Sequence, residues 1–202
     1  MKLFSAPASP FVRKVVVALH ETGQLGAVEI VPVTISPIAP GDTVPAHNPL
    51  GKIPALALDD GRTLFDSRTI TRYIDSLAPG TLYPEAPDLW EALVLESLAD
   101  GIMDAAVSMA YEGRLRPENM RFEPWLDAQW LKIDRALTAI ETRHMGQLNA
   151  RPDIAVLAVA IALEYVDFRH DARNWRANHA TLAAWHEGIA GRDSLAATRP
   201  KV

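Results

Sequence analysis

Strand-forming and helix-forming signals do not mix in this sequence; they change over at a stretch punctuated by Pro79, Pro84 and Pro87. Before it, short segments alternate with turn chemistry. Residues 2–4 read as a brief strand, 7–10 as a loop, and 11–21 as a helix with Val12, Val15, Val16 and Leu19 on one face. Residues 28–33 form a β-branched strand. The six prolines from Pro32 to Pro54 interrupt backbone hydrogen bonding too often for regular structure, which predicts a long shaped loop. Segments 55–58 and 62–64 flank Asp59-Asp60-Gly61 as a hairpin. Asp66 or Ser67 then caps a helix with Ile70, Tyr73, Ile74 and Leu77 on one side.

After the prolines no strand signal remains. Trp90, Val94 and Leu98 recur every four residues, and Leu126, Trp130, Ile133, Leu137 and Ile140 hold helical spacing for four turns. Residues 154–168 are apolar on nearly all sides, as a helix buried inside a bundle must be. Leu182, Trp185 and Ile189 mark one more amphipathic helix. The tryptophans of this half fit core packing. The expected organisation is an α/β domain over 1–78, a linker over 79–87 and an all-α helical bundle over 88–202.

Composition narrows the chemistry. At 49% apolar and 22% charged, the 202-residue chain is neither disordered nor a solvated linker. Its net charge of -5 disfavours a phosphate backbone, so no nucleic-acid partner is expected. There is no cysteine, which removes disulfides, thiolate-bound metals and any protein thiol nucleophile. Pro7, Ser9, Pro10, Arg13 and Lys14 break up the first twenty residues, unlike a secretory leader. The longest apolar run, 154–163, is ten residues, about half of a membrane span. A cytoplasmic protein without membrane association is expected. The six histidines show no metal-ligand spacing, so no metal is expected, and no glycine-rich nucleotide loop occurs.

Three local patterns stand in order: Ser9-Pro10-Phe11-Val12-Arg13 after the first strand, Asn48-Pro49-Leu50-Gly51-Lys52-Ile53-Pro54 before the hairpin, and Asp66-Ser67-Arg68 at a helix start. Together with the βαβ–ββα order and the helical second half, the chain resembles the cytosolic glutathione S-transferase superfamily over its whole length. The likeness is to its serine-type bacterial branch, with a theta-, delta- or zeta-like active site. The resemblance implies a thioredoxin-like N-terminal domain, an all-α C-terminal domain, a homodimer and glutathione as co-substrate. It further implies transfer of the glutathione sulfur to a small apolar electrophile.

Physical chemistry gives each pattern a task. At Ser9 a hydroxyl and the free N–H groups of a helix start point into one space, which favours an anion. A thiol with pKa ~8.5 is only about 3% thiolate at pH 7, and lowering that pKa by ~2 units needs ~2.7 kcal/mol of preference for the anion. A hydroxyl bond to a charge supplies ~1.5–3 kcal/mol and the helix terminus ~0.3–1 kcal/mol, so no catalytic base is required. The nucleophile would be the sulfur of glutathione, with Ser9 as the catalytic residue that stabilises it. A plain N-cap would carry the same serine.

The resemblance assigns glutathione contacts to Lys52, Ile53, Pro54, Asp66 and Ser67. A cis bond at Ile53–Pro54 would turn the Ile53 main chain towards the cysteinyl part of glutathione, as an added strand; an ordinary loop proline reads the same locally. Lys52 suits the glycyl carboxylate or open solvent, and Asn48 shapes the loop. Ser67 and its helix start suit the γ-glutamyl carboxylate and Asp66 its ammonium, though helices often open with such residues for capping alone. Arg68 would buttress Asp66, with Asp100 and Asp104 completing the charge network, from the same chain or across a dimer; a solvated acidic stripe with Glu96 is the alternative. Phe11, Met103, Val107, Tyr111 and Tyr165 would line an electrophile pocket between Ser9 and the helix of Asp100, or simply pack the core.

One departure stands out. The family's sixth helix opens with Ser or Thr three residues before an Asp; here Asp153 is present but the cap position holds Ala150. The expected cost is ~1 kcal/mol unless Asn149 substitutes. Two rival readings remain: a non-catalytic ligand carrier or interaction scaffold, and a glutathione-dependent isomerase, peroxidase, dehalogenase or etherase. Apolar pockets do not separate these by sequence.

Overall fold

Strand β1 (Lys2–Ser5) turns Leu3 and Phe4 into a core where they are 0% and 4% exposed. It pairs in parallel with β2 (Glu29–Pro32), Leu3 opposite Ile30. A parallel pair needs a crossover, and α1 (Pro10–Glu21) provides it, burying Val12, Val15, Val17, Ala18 and Leu19. On its other side β1 runs antiparallel to β3 (Ala55–Ala57), Phe4 opposite Ala55. Beyond β3, β4 (Thr63–Leu64) completes a mixed sheet in the order β2-β1-β3-β4. This is a thioredoxin-like domain, as expected. The computed structural model describes residues 1–80 and 82–200.

The proline-rich stretch is not wholly irregular. Within it α2 (Thr43–His47) forms a single turn, with Pro45 in the first turn where a missing N–H costs nothing. Its Val44 is fully buried. Helix α3 (Ser67–Leu77) then packs on α1 through Ile70 and Ile74, both 0% exposed.

The chain divides into two units, the first holding Met1–Glu85 and the second Ala86–Ala196. The residues from Ala197 return to the first unit, where the Arg13 Nε–H donates to Thr198 Oγ1 at 3.2 Å.

In the second unit α4 (Asp88–Leu115), α5 (Glu123–Arg143), the short α6 (Met145–Leu148), α7 (Ile154–His170), α8 (Ala180–Ile189) and the start of α9 (Asp193–Ala197) surround one core. Every residue of α7 from Ile154 to Leu163 is fully buried. Alanines at 155, 158, 160 and 162 let α4 pack closely against it, while Leu95, Ile102 and Met103 of α4 fill the spaces. Each fully buried Leu or Ile contributes about 1.5–3 kcal/mol.

Two sequence expectations fail here. Trp90 and Val94 are 64% and 56% exposed, because the buried face of α4 runs instead through Ala92, Leu95, Ala99 and Ile102. The α7 cap is not missing either. The helix starts one residue after Asp153, and the Asp153 carboxylate itself accepts the Val156 N–H at 2.9 Å. Asn149 takes no part, since its amide donates to the Met145 carbonyl.

Candidate functional site

The strand register decides where the three sequence patterns meet. Phe4 near the end of β1 stands opposite Ala55 at the start of β3, and Leu56 stands opposite Leu64 at the end of β4. The loop of Ser9, the Ile53–Pro54 pair and the Asp66–Ser67 helix start therefore leave the same end of one sheet. Segments far apart in sequence are brought together by strand pairing alone.

Ser9 is the N-cap of α1, with Pro10 as the first helical residue. Its Oγ accepts the Val12 N–H in a long bond of 3.3 Å. A hydroxyl that accepts in this way keeps its own proton to donate, and among the described residues that proton has no acceptor. The side chain is half-buried, so the hydroxyl is both reachable and partly desolvated.

The Ile53–Pro54 peptide bond is cis. The loop before it is built by Asn48, which is 2% exposed. Its amide donates to the Lys52 carbonyl at 2.8 Å while its Oδ1 accepts the Leu50 N–H at 3.1 Å. Both ends of the side chain are spent on the loop, in line with a shaping role. Gly51 follows with φ +63°, and a Cβ there would lie 3.0 Å from the Pro40 Cβ. Lys52 is exposed and Ile53 half-buried.

Asp66 caps α3 by accepting the Arg68 N–H at 3.0 Å, and Ser67 behind it is 2% exposed. The Arg68 guanidinium lies 3.7 Å from the other Asp66 oxygen, within the same unit. Thr71, one turn on, bonds the Tyr83 hydroxyl at 2.8 Å and ties α3 to the segment that follows it.

In the helical unit Glu96 and Asp100 are 1% and 3% exposed, whereas Asp104 is exposed. The first two are thus no solvated stripe, and all three engage other groups. Met103 is fully buried in the core, Tyr165 is 5% exposed, and Val107 and Tyr111 are half-buried, as is Phe11 on α1. Burial pushes the Tyr165 phenol up and keeps it protonated, although Arg169 beside it pulls the other way.

His179 joins two helices. His179 places Nε2 3.1 Å from an Asp134 oxygen and Nδ1 3.2 Å from a Glu141 oxygen. Glu141 also accepts the N–H groups of Thr181 and Leu182 and so fastens the start of α8 to α5. No cluster able to hold a metal occurs among the described residues. None of their helices is long and apolar enough to cross a membrane.

Comparison with known proteins fits this geometry. Residues 3–82 match the family model of the glutathione S-transferase N-terminal domain. The uncharacterised GST-like protein YibF of Escherichia coli (strain K12) is 34% identical, over 99% of this chain and 98% of its own length. A glutathione transferase family member from Pseudomonas fluorescens Pf-5, solved with bound glutathione, is 49% identical with a TM-score of 0.97, covering 100% of this chain and 99% of that one. A second structure from the same source, solved with S-(propanoic acid)-glutathione, is 48% identical with a TM-score of 0.92 and covers both chains fully. With both halves matched end to end, the chain belongs to the glutathione S-transferase family.

Proposed function

We propose that the protein is an enzyme that conjugates the thiolate of glutathione to a small, largely apolar electrophile, with the Ser9 hydroxyl stabilising that thiolate. The observation that carries the reading is the meeting of Ser9, Ile53–Pro54 and Asp66–Ser67 at one end of the sheet. Ile53 and Pro54 present a backbone edge to the cysteinyl part, and Lys52 faces the glycyl carboxylate. Asp66 and Ser67 take the two charged groups at the γ-glutamyl end. Arg68 supports that end.

The sulfur gives up its proton to solvent on binding. It then forms a C–S bond while a leaving group departs with its electron pair, or while an activated alkene takes the pair and a proton. Holding the tripeptide at three points orients the sulfur for attack and removes the entropy of encounter. Val107, Tyr111 and Tyr165 of the helical unit are the side chains assigned to the electrophile, while the fully buried Met103 is left to the core. The similar Pseudomonas protein holds a glutathione thioether whose added group carries an acid, and we place the same kind of product within reach of this chain. A homodimer belongs to the reading, supported by the exposed Trp90 and Val94 one turn apart on α4.

The test is conjugation of glutathione to a nitro-activated aryl chloride by wild type and Ser9→Ala. Loss of a hydroxyl bond to a charge predicts a fall in kcat/KM of about ten- to a hundredfold, with glutathione affinity changed far less. Unchanged turnover would move thiolate stabilisation to the backbone, and absence of glutathione binding at millimolar concentration would favour a scaffold.

A further inference from the structure

We propose that Tyr83 and Thr71 are positioning residues for the γ-glutamyl end of glutathione, acting through a chain of hydrogen bonds that fixes the peptide joining Ser67 to Arg68. The inference rests on the transferase reading, which puts the γ-glutamyl group at Asp66 and Ser67. Every residue it uses lies within the sheet unit.

The chain can be followed atom by atom. Thr71, one turn into α3, is fully buried. Its Oγ1 lies 3.0 Å from the Ser67 carbonyl oxygen, 3.2 Å from that of Arg68 and 2.8 Å from the Tyr83 hydroxyl. Carbonyl oxygens only accept, so the single Thr71 hydroxyl proton goes to them, and the Tyr83 O–H is the donor in the remaining bond. The Ser67 carbonyl shares one peptide plane with the Arg68 N–H, and that N–H donates to Asp66 Oδ1 at 3.0 Å. One rigid peptide is thus held by Thr71 on one edge and by Asp66 on the other. Through it the Tyr83 phenol bears on both residues assigned to the γ-glutamyl group.

A buried helical threonine often turns its hydroxyl to the carbonyl four residues back without any wider role. On α5, Thr138 and Thr142 make such bonds at 2.9 and 2.7 Å from exposed positions. Thr71 differs in being met by a donor from beyond its helix, and that donor is itself held. The Leu82 N–H donates to Asp75 Oδ1 at 2.7 Å, Leu82 is 1% exposed, and the Arg72 guanidinium lies 5.2 Å from the centre of the Tyr83 ring. Three residues of α3 therefore grip Leu82 and Tyr83, and the phenol reaches Thr71 with its direction already set. Bonds linked in this way polarise and strengthen one another.

The experiment measures kcat and KM for conjugation of a nitro-activated aryl chloride with glutathione, γ-glutamylcysteine and cysteinylglycine, the last of which lacks the γ-glutamyl group. Tyr83→Phe removes the first donor and keeps the ring. It should lower kcat/KM for the two γ-glutamyl thiols by about three- to tenfold, the range of one neutral hydrogen bond, chiefly by raising KM. For cysteinylglycine the change should stay below about twofold. Thr71→Val should give the same pattern, Thr71→Ser should keep wild-type values, and Y83F added to T71V should cost nothing more. Because Tyr83 is half-buried, Y83F keeps the test open if T71V fails to fold. Equal losses for all three thiols, no loss for any, or T71S no better than T71V would overturn the positioning role and leave the transferase reading standing. A wild type that turns over none of the thiols would end both.

Discussion

The two units place their chemistry differently. In the sheet unit the groups proposed for the site stand at the ends of short elements: Ser9 caps α1, Asp66 caps α3, and Ile53–Pro54 leads into β3. In the helical unit the proposed groups stand on the faces of long helices, among side chains of the same kinds that fill the core. Tyr165 shares α7 with ten consecutive fully buried residues from Ile154 to Leu163. A helix end or a shaped turn demands particular residue types, so its chemistry is written locally. A helix face demands only apolar volume, so a pocket residue and a packing residue look alike.

The contrast can be broken at its two strongest points. Ile161→Ala removes volume from the fully buried stretch of α7 and should lower unfolding free energy by about 2–5 kcal/mol, read by urea denaturation. A cost below ~1 kcal/mol would mean that the bundle is not specified by this helix. In the sheet unit a single added methyl should matter instead. Gly51→Ala forces φ +63° on a side-chain-bearing residue and drives its Cβ to 3.0 Å from Pro40. The expected cost is about 1–3 kcal/mol, together with weaker glutathione binding, because Lys52 and Ile53 follow directly. Unaltered stability and affinity would show that this loop is not held by its backbone conformation.

A smaller effect sharpens the contrast within the helical unit, where two carboxyls at helix starts titrate in opposite senses. Burial, reinforced by the charge of Glu96, raises Asp153 above its ordinary 3.8 despite its backbone bonds. The native state thus holds that proton more tightly than the unfolded chain. Its contribution is complete below pH 3.8 and is lost as pH rises through the raised value. Burial also pushes Glu141 up, but the bonds from Leu182, His179 and Thr181 outweigh it and bring the carboxyl below 4.5. Its contribution is present above pH 4.5 and lost as pH falls through the lowered value. Asp153→Asn should therefore remove a loss of stability on going from pH 4 to 7, and Glu141→Gln should cost more at pH 7 than at pH 4. Melting curves at the two pH values check both, and parallel shifts for the two variants would contradict the assignment.

Much of the sheet unit was legible because its signals are local. The alternation of strands and turns, the loop-shaping role of Asn48 and the capped start of α3 all follow from residue type and spacing. What was misread depended on context. The Trp90–Val94–Leu98 repeat matched a helix face, but four-residue spacing alone does not say which of two apolar stripes the neighbours cover, and Ala92, Leu95 and Ala99 are the buried ones. The family pattern expects a cap three residues before Asp153, at Ala150; the helix begins instead where the Asp153 side chain can accept the Val156 N–H. The return of the chain from Ala197 to the first unit rests on a contact 185 residues long in sequence, from Arg13 to Thr198, which no window can show.

The account turns on Ser9 holding a thiolate. Calorimetric titration of wild type and Ser9→Ala with glutathione at pH 7, in two buffers of different ionisation enthalpy, counts the protons released on binding. Release of close to one proton by wild type and much less by the variant is the predicted result. Binding by wild type without proton release, or equal release by both, would contradict it.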